Sequence, residues 1–245
     1  MPGDINAMPS HTPHSSRLPL VAPQHPEQEN TADLVNAACA DWTTVPSQSR
    51  AWKKLQKLVD ASNAEKLDFI SNYIRDGHSD INFELRNGAC QSLATEFFLH
   101  DFNLLNPYDG IAYRALLVEK GGYETLATIG ETVADDSVQT ASTLLVNGRD
   151  WFNHACRCEA RKDLHKVLLI FDKSVPKKNM STGYLPDHVA IPPNVVASVV
   201  YAREHDDVLV VGLAYAGDQG ASHDVKSMFD GLSKSALPIP LLPGI

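Results

Sequence analysis

The sequence predicts an α+β fold in which helices come first and an antiparallel sheet comes last. Two observations carry this. Apolar residues recur at helical spacing from Thr31 through the first two thirds of the chain, and the pattern then changes to short β-branched runs. Segregated helices and strands of this kind indicate an α+β arrangement rather than alternating βαβ units. At 245 residues the chain suits one domain with a tail. The expected division is a disordered leader over 1–29, a folded catalytic domain over 30–235 and an extended tail over 236–245.

The leader is predicted from Pro2, Pro9, Pro13, Pro19, Pro23 and Pro26, which interrupt every helix that could form there. Ser and His fill much of the space between, leaving too little apolar surface to offset the entropy of ordering. The first helix runs from Thr31 to about Trp42, with Leu34, Val35, Ala38, Cys39 and Trp42 on one face. Pro46 stops it. A second helix buries Trp52, Leu55, Leu58 and Val59, and Ser62-Asn-Ala-Glu65 reads as a capping box that opens a third through Ile74. Gly77 closes that helix, and a polar link through Ile81 and Phe83 leads to a small-residue turn at Cys90. The helix after Cys90 is expected to bury Leu93, Phe97 and Phe98. Two more helical stretches are expected around 135–147 and 150–163. Lys166–Phe171 is a short buried strand, and Val195–Tyr201 with Val208–Tyr215 forms a hairpin across the polar stretch 203–207. A last helix is expected over 222–233.

Composition excludes several function classes. A formal net charge of -9 argues against nonspecific nucleic-acid binding, which needs clustered cations to neutralise phosphates. No apolar run reaches the length of a membrane span, and the N-terminus lacks both a Sec signal and a glycine after Met1 for myristoylation. Four cysteines, Cys39, Cys90, Cys156 and Cys158, are too unevenly placed for a disulfide framework and fit a reducing compartment. His154, Cys156 and Cys158 lie on a predicted helix where only His154 and Cys158 share a face. No second ligand pair accompanies them, so no metal site is expected.

The chemistry-bearing candidate is Cys90. A cysteine at a helix start meets unpaired backbone N–H groups and the positive end of the helix dipole, both of which favour a thiolate. A thiolate nucleophile needs a base, and His188 suits that role because it opens a predicted strand into Val189, Ala190 and Ile191. If the hairpin turns near His205, its return strand brings Asp218 back towards His188 as the orienting carboxylate. Asp206 and Asp207 take that role instead if Pro192 and Pro193 make a turn of their own. Asn87 and Asn82 are the candidate oxyanion-hole side chains, with Asn87 the nearer to Cys90.

Gly88-Ala-Cys90-Gln-Ser-Leu93 with Glu96-Phe97 resembles the glycine–small–cysteine–x–x–leucine signature of the YopT/AvrPphB family. That resemblance implies a papain-like fold, with a helical N-terminal part carrying the nucleophile helix followed by an antiparallel β-sheet. It implies a thiol protease that cleaves a host protein through Cys90, His188 and Asp218 and needs no cofactor. It also implies delivery by a type III secretion system into the host cell cytosol, with a secretion chaperone on the N-terminal region as a further partner. The same three residues would serve a glutamine deamidase or transglutaminase, and a noncatalytic effector is the alternative from another class.

Overall fold

A computed structural model of the chain describes residues 26–41, 48–88, 92–147, 151–152, 164–218 and 226–227. Among the described residues, the helices α1 (Pro26–Asp41), α2 (Gln48–Asp60), α3 (Asp68–Asn72), α4 (His78–Asn87), α5 (Leu93–Leu104) and α6 (Lys120–Leu126) accompany nine strands. These are β1 (Ala112–Val118), β2 (Thr132–Ala134), β3 (Gln139–Ser142), β4 (His165–Phe171), β5 (Lys178–Asn179), β6 (His188–Ile191), β7 (Val195–His205), β8 (Val208–Asp218) and β9 (Lys226–Ser227). The strands join in the order β5-β6-β3-β1-β4-β8-β7-β2-β9.

The sheet is mixed, because β4 pairs β8 in parallel and β2 pairs β9 in parallel while the other ladders are antiparallel. The expected antiparallel sheet is corrected accordingly. The parallel pair has a simple origin. β4 and β8 both read as almost uninterrupted Val, Leu and Ile, the mark of strands covered on both faces. Val167, Leu169, Leu209 and Val211 enter the principal core on one face, and Leu168, Ile170, Val208 and Val210 meet α1 on the other. Each buried side chain of this size contributes about 1.5–3 kcal/mol.

Helix α1 seats on β8 at Gly212, where a β-carbon would lie 2.5 Å from Thr31 Cγ2. The helix begins at Pro26 and so includes residues 26–29 of the expected leader. Its buried Thr31 hydroxyl donates to Asp172 Oδ2 at 3.2 Å. The β7–β8 hairpin forms as expected, with its turn at Asp206 (φ 46°) and Asp207 (φ 64°). Two consecutive left-handed residues make the turn whose twist matches a hairpin, and aspartate tolerates that conformation.

A second core lies beneath α3, α4 and α5, where Tyr73 stacks on Phe98 at 4.5 Å and Phe98 packs on Phe102 at 5.6 Å. Helix α5 is capped by Ser92, whose hydroxyl accepts from Thr95 N. Glu84 of α4 ties that cap down by accepting from Ser92 N and from the Ser92 and Thr95 hydroxyls.

Several expectations fail here for local reasons. Gly77 does not close a helix. It ends a π-helical turn, Tyr73–Gly77, that runs straight into α4 where a polar link was expected. The capping-box residues open only a single 3-10 turn, Ala64–Lys66, and Glu65 spends its carboxylate on Gly183 N instead. Stretch 135–147 holds β3 rather than a full helix, and within 222–233 the described pair 226–227 is strand β9. Trp52, Leu93 and Phe97 point outward rather than into a core. The stretch 153–163, with its three candidate metal ligands, lies outside the described residues, as does the tail from 228 onward. Among the described residues no helix is long and apolar enough to cross a membrane.

Candidate active site

The site is built around an arginine in an apolar strand. β1 reads Ala-Tyr-Arg-Ala-Leu-Leu-Val and pairs β4 along its whole length, but it meets β3 in register only at Tyr113 opposite Ser142. The ladder is therefore open on either side of that pair. Arg114 reaches across to β3, donating to the Thr140 carbonyl and, at 3.2 Å, to its hydroxyl. Its Nε is buried without a hydrogen-bond partner. Burial pulls the guanidinium below its ordinary pKa, while Asp135 acts in the opposite direction.

Asp135 cannot fully compensate that cation. Only 3% exposed, it is gripped by Arg86 of α4, whose Nε and terminal nitrogen donate at 3.2 and 3.1 Å. It also accepts from Ser137 N and Oγ, both at 2.9 Å. Arg86 thus takes up the Asp135 carboxylate, and Arg114 feels it only at a distance while its own hydrogen bonds go to neutral Thr140. A buried cation in this state favours an anionic ligand, since isolated interior charge is costly.

His188 opens β6, opposite Ser142 of β3. The short strand is held on both sides: Met180 N and Ser181 Oγ donate to the His188 carbonyl, and Thr143 N donates to the Asp187 carbonyl. The imidazole is 6% exposed and its Nε2 has no partner. Burial pushes its pKa down to about 4; Asp187 opposes this, and Arg114 and His78 add to it. At neutral pH it is a neutral base. The neighbouring Asp187 carboxylate accepts from Ser142 Oγ and from Asn147 Nδ2 at 2.5 Å, which fixes its orientation.

The helical wall contributes His78, the first residue of α4, placed by the π-helical turn before it. Such turns break the regular spacing of a helix and often mark functional sites. The ring stands edge-on to Tyr73, with centroids 6.3 Å apart, and both of its nitrogens are buried and unpartnered. Burial lowers its pKa, against the pull of Asp76 and Asp80. The Tyr73 hydroxyl accepts from Asn82 Nδ2, whose amide oxygen in turn accepts from Val138 N, and burial pushes that phenol up to about 12. Gln139 Oε1 on β3 and Thr143 Oγ1 just after it are also buried without partners. An unmade interior hydrogen bond costs about 1–3 kcal/mol. The unpartnered atoms of Arg114, His78 and His188, groups close enough for their charges to act on one another, are open to hydrogen bonds from a ligand.

Of the residues singled out in the sequence, only His188 belongs to this cluster. Cys90 lies outside the described residues. Asn87 donates its amide to the Phe83 carbonyl at 2.7 Å within its own helix, and Asn82 is committed to Tyr73 and Val138. Asp218 ends β8, with β4, β1 and β3 between it and β6, and its carboxylate is engaged by Tyr215. The expected pairing of Asp218 with His188 is corrected on that ground. Pro192 and Pro193 do break the chain between β6 and β7, but Asp206 and Asp207 sit at the far hairpin tip beside His205 and Lys166. Among the described residues no group of three His, Cys, Asp or Glu could hold a metal ion. Sequence reasoning missed Arg114, His78 and Asp187. The one available signal was an arginine inside a strand of otherwise apolar residues.

No protein-family model matches the chain, and no curated protein matches it. The fold does have solved counterparts. A structure of the ADP-ribosyltransferase Vis with an inhibitor is 14% identical, with a TM-score of 0.55, covering 83% of this chain and 92% of that one. Vis with agmatine gives 14% identity and a TM-score of 0.54, covering 86% and 95%. The Vis toxin from Vibrio Splendidus gives 13% and 0.53, covering 83% and 93%. At such identities the likeness is one of fold. It overturns the resemblance to YopT/AvrPphB proteases, and with it the papain-like fold, the thiol protease and the deamidase or transglutaminase readings.

Proposed function

We propose that this protein is an ADP-ribosyltransferase that takes NAD as substrate and transfers ADP-ribose to a nucleophile on a target protein. One observation carries the reading: the buried, unpartnered Nε–H of the half-buried Arg114, beside the unpartnered Nε2 of His188, in a fold shared with Vis. The guanidinium fits a pyrophosphate, because its planar fork matches paired oxyanions and Arg86 is already committed to Asp135. In the reaction the glycosidic C–N bond breaks, its electron pair leaves with neutral nicotinamide, and positive charge develops on the ribose. Asp187, oriented by Ser142 and Asn147, is the carboxylate suited to stabilise that charge. His188, neutral at physiological pH, accepts the proton released as the target nucleophile bonds to the ribose carbon.

The setting is that of an exported protein. The Vis counterpart is a toxin by name. The proline-rich residues 1–25, ahead of α1, suit an uncleaved leader for a type III system, with a secretion chaperone on that region and a host protein as the acceptor. Isothermal titration with NAD, together with assay of nicotinamide release, tests the enzymatic reading. NAD should bind the wild type and lose at least tenfold in affinity in Arg114→Met. Failure of the folded wild type to bind NAD, or equal binding by the variant, would sink it.

A further inference from the structure

We infer that the outer face of α5 is a docking surface for a basic amphipathic helix of a partner protein. Leu93, Phe97 and Leu104 fall within 40° of one another around the helix at 100° per residue, and they are 69%, 51% and 53% exposed. Leu93 and Phe97 form an apolar pair one turn apart, and Leu104 continues their line beyond His100, whose exposed ring falls in the same arc. The opposite side of α5 is already satisfied, because Phe98 and Phe102 enter the helical core. Phe69 of the neighbouring α3 stacks on Phe97 at 5.1 Å, which widens the stripe and holds the Phe97 ring in place. Single exposed apolar residues are ordinary, but an aligned row on one helix backed by a second ring is a contact surface.

Charge selects the occupant. From 87 to 113 the chain contains no Lys or Arg, the exposed Glu96 flanks the row, and Lys178 at its far end is taken up by the Asn103 and Leu105 carbonyls. Across 60–104, eight Asp or Glu stand against three Lys or Arg, so more than half of the net charge of -9 resides in this helical layer. An apolar row with acidic flanks complements a helix that carries leucine-type anchors at i, i+4 and i+7 and Lys or Arg beside them. The same flanks disfavour an anionic lipid surface. This surface is independent of the NAD reading.

The test uses the full chain and three synthetic peptides: a Leu/Lys helix with its leucines on one face, its Leu/Glu counterpart, and a shuffled Leu/Lys peptide. By fluorescence anisotropy the first should bind at least tenfold tighter than the other two. The double variant Phe97→Ser, Leu104→Ser should weaken it at least tenfold, and Glu96→Lys severalfold, with circular dichroism and NAD binding unchanged. Equal binding of all three peptides, or no effect of either variant, overturns the proposal. So does sedimentation as a dimer that the serine variant makes monomeric, because a second copy would then own the face. Cross-linking of a photoreactive residue at position 97 to residues 1–25 of the same chain would likewise assign the face to the chain itself.

Discussion

His188 ties stability to pH in a way that can be measured directly. In the unfolded chain the imidazole titrates near 6.5, and in the folded protein burial pushes it down to about 4. Above pH 6.5 it is neutral in both states and contributes no pH dependence. As pH falls from 6.5, the unfolded chain takes up a proton that the folded protein refuses, so stability drops by about 1.36 kcal/mol per unit. The drop is complete near pH 4, at about 3 kcal/mol in total, a large share of a typical domain's stability. His78, also lowered by burial, adds to it with the same sign. The groups facing His188 are Asp187, which opposes the shift, and Arg114 and His78, which support it. Urea unfolding of wild type and His188→Gln at intervals from pH 7.5 to 4.5 isolates the effect. The two proteins should be nearest to their neutral offset at pH 7.5, and the variant should gain about 2–3 kcal/mol on the wild type by pH 4.5. A stability difference that stays flat across the series would show that the imidazole is solvated, and the buried neutral base would be lost with it.

The two guanidinium groups should behave oppositely. Arg114→Met exchanges an imperfectly paired interior cation for an apolar side chain, so its urea midpoint should match or exceed that of the wild type while NAD binding is lost. Arg86→Met leaves the Asp135 carboxylate buried without its principal partner and should cost about 3 kcal/mol or more by the same measurement. Gly212→Val drives a methyl group into Thr31 and Val35. It should cost about 1–3 kcal/mol, with hydrogen exchange accelerated in α1 before the sheet. Asp218→Ala should leave nicotinamide release within a factor of two of wild type, because three strands separate it from His188. A loss of two orders of magnitude would restore the pairing that the topology disallows.

Much of the chain's local structure is legible because it rests on short-range patterns. The α1 and α2 periodicities, the β4 run and the β7–β8 hairpin are all encoded within windows of about twenty residues. The hairpin even declares its turn, since Asp206 and Asp207 are among the few residues at ease with positive φ. The place of His188 at the start of a strand was legible because small and β-branched residues follow it. Its partner was not, because hairpin arithmetic carried the His188 strand straight on into β7, whereas β6 and β7 stand five places apart in the sheet order. The cysteine signature was a local likeness of a dozen residues. Sequence patterns carry no information on whether such a segment meets the rest of a site.

What the sequence determined by itself is therefore the helical character of α1, α2 and α5, the β4 run, the β7–β8 hairpin, and that a histidine opens a strand at 188. Tertiary structure decided the rest. β1 and β3 meet at a single pair, and the Arg114 Nε is left with no partner there, which no reading of β1 alone could show. Leu93 and Phe97 have the spacing of a core face, yet they are solvent-exposed because Phe98 and Phe102 fill the one interior surface that α5 can reach. Periodicity states that a helix has an apolar face; only packing against other elements determines which face is buried, since burial depends on neighbours distant in sequence.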